Sequence, residues 1–201
     1  MKYVGGKHRI GKRIANILQM IGPEKVEGYL EPFVGSLGVF KYMGLKEYKK
    51  KIGSDKHKSL IKMWRGLKTG EFKPPKSINE EIFKRLKQKK ENSALHGLVG
   101  FGASFGGDYF SGYIQKYSGS SKRNFYQETL RSIKKMEEVI TRKDVYFYNK
   151  GYEYWKVKNH LIYCDPPYKN TTGYKTGDFD HDKFWKIMRK WSKTNYVFIS
   201  E

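Results

Sequence analysis

Apolar residues recur at helical spacing at Ile10, Ile14, Ile17, Leu18 and Ile21, which predicts a first helix over about 8–21, stopped by Gly22-Pro23. Val26 to Glu31 is a short apolar run ahead of Pro32 and predicts a strand. A glycine loop, Phe33-Val34-Gly35-Ser36-Leu37-Gly38, follows it, and Val39, Phe40 and Met43 predict a helix after the loop. Lys51 to Asp55 predicts a second strand ending on an acid, and Leu60, Ile61, Met63, Trp64 and Leu67 give the next helical face. Val145–Tyr148, Leu161–Cys164 and Tyr196–Ile199 are the remaining strand candidates. The last two flank an amphipathic stretch, Phe184 to Trp191, so they predict a parallel crossover unit. This alternation is that of an α/β domain.

Between about 68 and 140 the pattern changes. Lysine-rich helical segments, Ile82 to Lys90 and Phe125 to Ile140, surround a glycine- and aromatic-rich patch from Gly100 to Tyr113, and no strand pattern continues through it. The stretch is expected to be an insertion that grips a substrate, with basic helices for phosphates and a flexible aromatic loop for bases. No internal repeat or low-complexity tract interrupts the chain.

Charge narrows the partner. Against 20 acidic residues stand 41 lysines and arginines, a net charge of +21. Such a surplus favours a polyanion, most simply nucleic acid, bound in a salt-sensitive way. The single cysteine, Cys164, has no intramolecular disulfide partner and fits a reducing, cytoplasmic setting. No stretch approaches about 18 apolar residues and the N-terminus lacks a signal-peptide core, so no membrane association is expected. The five histidines show no metal-ligand spacing, and no metal is expected.

The chemistry concentrates at Asp165-Pro166-Pro167-Tyr168. Two prolines remove two backbone donors and restrict the residue before each, so the strand must stop and leave Asp165 and Tyr168 at its carboxyl edge, where open α/β sheets bind ligands. Glycines at 35 and 38 after the first strand allow backbone to approach a ligand, and Asp55 at the end of the second is placed for ribose hydroxyls. Together they describe a nucleoside-containing cofactor without the full dinucleotide fingerprint. Gly6 and Gly11-Lys12 imitate a phosphate loop, but Arg13 stands where Ser or Thr would hold magnesium, which argues against a nucleoside triphosphatase.

Lys2-Tyr3-Val4-Gly5-Gly6-Lys7, Glu31-Pro-Phe-Val-Gly-Ser-Leu-Gly38, Asp55 and Asp165-Pro-Pro-Tyr168 stand in the order seen in Dam-type DNA adenine-N6 methyltransferases, and the chain resembles a phage or prophage member of that family. The resemblance implies a Rossmann-like S-adenosylmethionine-dependent methyltransferase sheet, made of 1–67 and 141–201, with an inserted, mainly helical target-recognition domain over 68–140. It implies site-specific methylation of a flipped adenine in double-stranded DNA, of the kind found in restriction and modification. Tyr3, Gly6 and Lys7 would contact S-adenosyl-L-methionine. Pro32, Phe33, Gly35 and Gly38 would shape the cofactor loop, Asp55 would take the ribose hydroxyls, and Asp165, itself beside the cofactor, would hold the adenine with Pro166, Pro167 and Tyr168. Ser104 to Tyr113, Arg123 and Arg131 are candidates for base readout.

The chain departs from that family in two places. Many relatives carry an acid shortly after the strand before the catalytic one, where Phe147 to Tyr152 has none. Such domains also continue beyond a strand like Phe198-Ile-Ser-Glu201 with a helix and a hairpin, so a partner chain or a missing segment is expected over the last strand. A non-catalytic nucleic-acid-binding relic, or methylation of cytosine N4 or of RNA, are the competing readings.

Overall fold

A computed structural model describes residues 1–44, 48–89, 91–113, 124–168 and 179–200. Arg123 lies outside the described residues. The chain divides into two compact units, Lys7–Lys56 with Lys143–Glu201, and Met1–Gly6 with His57–Arg142.

The first unit is built on five parallel strands: β1 (Gly28–Glu31), β2 (Lys51–Asp55), β3 (Val145–Asn149), β4 (His160–Cys164) and β5 (Tyr196–Ile199), in the order β3-β2-β1-β4-β5. This is a Rossmann-like, doubly wound parallel sheet. The chain leaves β1 toward β2 on one side and reaches β4 on the other, so the order reverses at the β1/β4 junction, the position where doubly wound sheets open a ligand crevice. The apolar run Leu161-Ile162-Tyr163-Cys164 is wholly buried, as a central parallel strand requires.

Among the described residues this unit carries the α-helices α1 (Gly11–Leu18) and, in the β4–β5 crossover, His181–Trp191, numbered α7 below. Asp180 caps α7 by accepting the Lys183 N–H at 2.8 Å. Its buried side chains, Phe184, Met188 and Trp191, recur at helical spacing and close one face of the sheet over Leu30, Ile162 and Cys164. Burying a side chain of that size contributes about 1.5–3 kcal/mol.

The first helix is shorter than its apolar pattern predicts. Ile10 and Gly11 both donate to the Lys7 carbonyl, which makes residues 7–10 a turn ahead of the helix proper. Gly11 also has to be glycine, because a Cβ there would stand 2.1 Å from the Gly38 carbonyl oxygen. The phosphate-loop imitation is therefore a packing contact between two turns. After the glycine loop, Val39, Phe40 and Met43 support only a short 3-10 helix, Phe40–Tyr42, since these residues are buried on all sides and not on one stripe.

The second unit is helical among its described residues: α2 (Lys58–Thr69), α3 (Glu80–Gln88), α4 (Ala94–Gly102), α5 (Phe125–Lys134) and α6 (Glu137–Ile140). The His57 ring caps α2 by accepting from Leu60 N–H, and Gly70 ends it in the left-handed conformation at φ 78°. α2 and α4 approach closely at Gly97, where a Cβ would lie 2.3 Å from the Ser59 carbonyl oxygen. Periodicity predicts one helix from Phe125 to Ile140, yet the chain breaks at Lys135–Met136 into α5 and α6. α4 escaped prediction because seven of its nine residues, His96 to Gly102, are buried and leave no polar stripe. The glycine- and aromatic-rich patch is also largely interior: Phe101 and Phe110 are buried, and Tyr109 packs against both at 4.8 Å. Phe105, 67 % exposed, is the large apolar side chain of that patch left open to solvent.

Candidate active site

Asp165 stands one residue beyond β4, where the chain is stopped by Pro166 and Pro167. Lys7 donates to both of its carboxylate oxygens, at 2.6 Å to Oδ1 and 2.8 Å to Oδ2. The Tyr168 hydroxyl adds a longer bond to Oδ1 at 3.3 Å, and the Lys7 ammonium lies 4.8 Å from the centre of the Tyr168 ring. Only 13 % of the Lys7 side chain and 17 % of that of Asp165 are exposed, so the two charges attract more strongly than in a surface bridge and cost correspondingly in desolvation.

The two shifts of this pair both point upward. Burial raises the proton affinity of Asp165, and the hydrogen bond and charge of Lys7, with the Tyr168 hydroxyl, oppose the rise without cancelling it. For Lys7, burial acts downward and is outweighed by its bonds to Asp165 and Tyr168, so the ammonium is held in its charged form. A second acid sharpens the field. Glu31, at the end of β1 next to β4, is buried, accepts the Tyr29 hydroxyl at 2.7 Å, and is pushed well up by burial, with the Asp165 charge adding to the rise. Sequence inspection missed Glu31 as a candidate, although an acid closing the first strand ahead of Pro32 was the available signal.

The other half of the site is the β1 loop and the end of β2. Gly35, at φ 46°, turns the chain in the left-handed region, and its N–H donates to Asp55 Oδ2 at 3.1 Å. The Val34 N–H is tied to the Ser54 carbonyl, and Ser36 Oγ bonds His8 Nε2 at 2.7 Å. Asp55 thus points to the loop, at the place where a carboxylate can accept from paired hydroxyls. Gly38 behaves differently, since a Cβ on it would meet the Lys7 nitrogen at 2.9 Å. Its glycine requirement comes from the chain at residue 7. Pro32 is buried, and Phe33, half-buried, stacks on Tyr152 at 5.3 Å and meets Phe184 edge-on at 6.0 Å.

The structure therefore brings Lys7, Phe33, Gly35, Gly38, Asp55 and Asp165 to Tyr168 together within the sheet unit. Tyr3 and Gly6 belong to the helical unit, where the Tyr3 ring lies 4.9 Å from Phe101 and Gly6 N–H donates to the Tyr3 carbonyl at 2.9 Å, closing a turn over Gly5 at φ 72°. Arg131, on α5 of that unit, is exposed. A small cleft adjoins the Pro166-Pro167-Tyr168 corner on the α7 side. Among the described residues no three His, Cys, Asp or Glu side chains form a metal-binding group, and no helix is long and apolar enough to cross a membrane.

Residues 3–97 match the model of a protein family described as D12 class N6 adenine-specific DNA methyltransferase. That stretch holds the opening motif, the glycine loop and Asp55, and ends before the Asp165 corner. No curated protein matches the chain.

Proposed function

We propose that the chain, whose residues 3–97 match the model of the D12 class of N6 adenine-specific DNA methyltransferases, is an enzyme of that class, in which the corner around Asp165 holds the acceptor amine and the β1 loop with Asp55 holds S-adenosyl-L-methionine. Enzymes of this class methylate the N6 amine of adenine in DNA, with S-adenosylmethionine as the methyl source the family implies. The observation that carries the assignment of roles is the Asp165 carboxylate, set by two prolines at the carboxyl end of β4 beside the β1/β4 switch point, with both oxygens already engaged by an N–H donor.

The donor set fits the cofactor. An aromatic ring at Phe33, a left-handed turn at Gly35 and a carboxylate at Asp55 suit a nucleoside with a vicinal diol. When bound, S-adenosylmethionine supplies a methyl group on a positively charged sulfur, open to attack by an amine. The chain's task is to make the amine a nucleophile. An adenine N6 lone pair is delocalised into the ring; N–H bonds accepted by the Asp165 carboxylate and the Pro166 carbonyl draw the nitrogen toward a pyramidal shape and aim its lone pair. As the new N–C bond forms, the nitrogen gives up one proton. Asp165, whose proton affinity burial has raised, is the group positioned to accept it. Tyr168 offers its ring as a stacking face for a base turned out of the duplex, offsetting part of the few kcal/mol that extrusion costs.

In the same reading the 68–140 segment contributes target recognition, with exposed Arg131 as a candidate for a guanine edge. Double-stranded DNA is the substrate, and the cytoplasm of a bacterium or phage-infected host is the setting. Incubation with methyl-labelled S-adenosylmethionine and duplex DNA, followed by digestion to nucleosides, tests the reading. Label is expected in N6-methyladenine and lost with Asp165→Ala. Label in N4-methylcytosine would overturn the choice of base, and label that survives the substitution would overturn the role of Asp165.

A further inference from the structure

The cleft on the α7 side of the Pro-Pro corner has walls of three origins. One is formed by Pro166, Pro167 and Tyr168, another by His181, Phe184 and Trp185 from the first turns of α7, and the third by Ile199 and Ser200 at the end of β5. It lies at the carboxyl ends of β4 and β5, across the β1/β4 switch from Gly35 and Asp55, so it is on the acceptor side of Asp165. Phe184 is buried in the sheet core, while Trp185 next to it is half-buried and packs against the edge of that core, its ring 5.5 Å from that of Phe184. The core below is thus closed by Phe184, Met188 and Trp191, and the indole is left at the rim of the cleft. The cleft as it stands has about 10 Å³ of space, room for roughly one water. A purine enters only as a rim side chain swings out.

We propose that Trp185 is the movable outer wall of the acceptor-base pocket, stacking on the extruded adenine from the side opposite Tyr168, with His181 at its edge. The inference rests on the proposed role of the Asp165 corner and adds the residue that selects a flat purine ring there. An indole face gives base stacking that is tolerant of sequence, which suits a pocket that receives one base after a different surface has read the site. His181, half-buried at the mouth with its ring 4.9 Å from Phe179, limits the pocket to a planar ligand.

Steady-state kinetics with methylatable duplex DNA test this. Trp185→Ala is expected to raise KM for DNA about ten-fold or more, as loss of one base–aromatic stack implies, while the dissociation constant for S-adenosylmethionine stays near that of the parent. Trp185→Phe, which keeps a stacking face, is expected to restore KM to within about three-fold. Binding to an oligo(dA) strand is expected to weaken in Trp185→Ala, and binding to an abasic strand of equal length to stay unchanged. An unchanged KM overturns the proposal, as does equal weakening on the abasic strand, or failure of phenylalanine to rescue a folded protein. If Asp165→Ala retains activity, the underlying site reading has failed instead, and that outcome is separate from all of these.

Discussion

Two carboxylates close neighbouring parts of the same sheet edge, and they are held in opposite ways. Asp55, at the end of β2, is fixed by a backbone donor, the Gly35 N–H, and its strand end is pinned again by Asn149, whose side chain donates to the Asp55 carbonyl at 3.0 Å. Asp165, beyond β4, is held by a side chain, the Lys7 ammonium on both oxygens. A backbone anchor stays in place when a ligand arrives, whereas a lysine on a flexible stem can withdraw and yield its position to another N–H donor. Asp55 therefore has the properties of a fixed acceptor for hydroxyls. Asp165 has those of a group whose partner is exchanged during the reaction, and burial raises its proton affinity.

The largest effect that contrast predicts is at Asp165. Asp165→Asn keeps one oxygen acceptor in nearly the same volume but removes the charge and the proton acceptor. A fall in kcat of about 10²–10³-fold is expected, the scale of losing one preorganised electrostatic partner of a transition state. Affinity for S-adenosylmethionine should hardly change, which equilibrium dialysis measures. A variant that loses cofactor affinity as strongly as rate would erase the distinction between the two carboxylates.

At Asp55 the expected pattern is reversed. Asp55→Ala removes a charged acceptor, each of whose hydrogen bonds is worth about 1.5–3 kcal/mol, so the dissociation constant for S-adenosylmethionine should rise by roughly 10–100-fold. At saturating cofactor, kcat should remain within about three-fold of the parent, because uniform binding was lost and not stabilisation of the transition state. A large fall in kcat at saturation would move Asp55 into the chemistry.

Much of this edge was legible in the sequence, for reasons that differ by element. Buried parallel strands announce themselves as short apolar runs, and the prolines after Cys164 fix where one must end, so β4 and Asp165 could be read without coordinates. Asp55 was legible because a strand ended on it about 20 residues after the glycine loop. The pairing of Lys7 with Asp165 was not, since 158 residues separate them and no local pattern encodes such a contact. Gly38 was misread in part: its neighbour is the backbone of residue 7, and a clash with a remote turn leaves the same letter in the sequence as room for a ligand. α4 and the interior of the glycine-aromatic patch were hidden for a third reason. Periodicity reports a helix only where one of its faces is polar, and this one has none.

The smallest expected effect, and the one that separates two roles for the same residue, is at Lys7. Family resemblance assigns it to the cofactor, and geometry assigns it to Asp165. Among the described residues, the groups that interact electrostatically with Asp165 include the cation Lys7 and the titratable Tyr168, Glu31, Tyr163 and Cys164. Lys7→Met removes the larger of the two influences that oppose burial and leaves the Tyr168 hydroxyl, so the proton affinity of Asp165 rises further above the ordinary carboxylate range. The acid limb of kcat/KM for DNA should therefore move to higher pH, while on the alkaline plateau, where Asp165 is ionised in both proteins, the rate should stay within about three-fold. Lys7→Arg, which keeps the charge, should return the limb most of the way. If Lys7 instead serves the cofactor, the limb stays put and KM for S-adenosylmethionine rises across the whole pH range. A plateau loss with an unmoved limb and unchanged cofactor affinity would show that neither role is right and that the lysine serves only to pack the turn at residues 7–11.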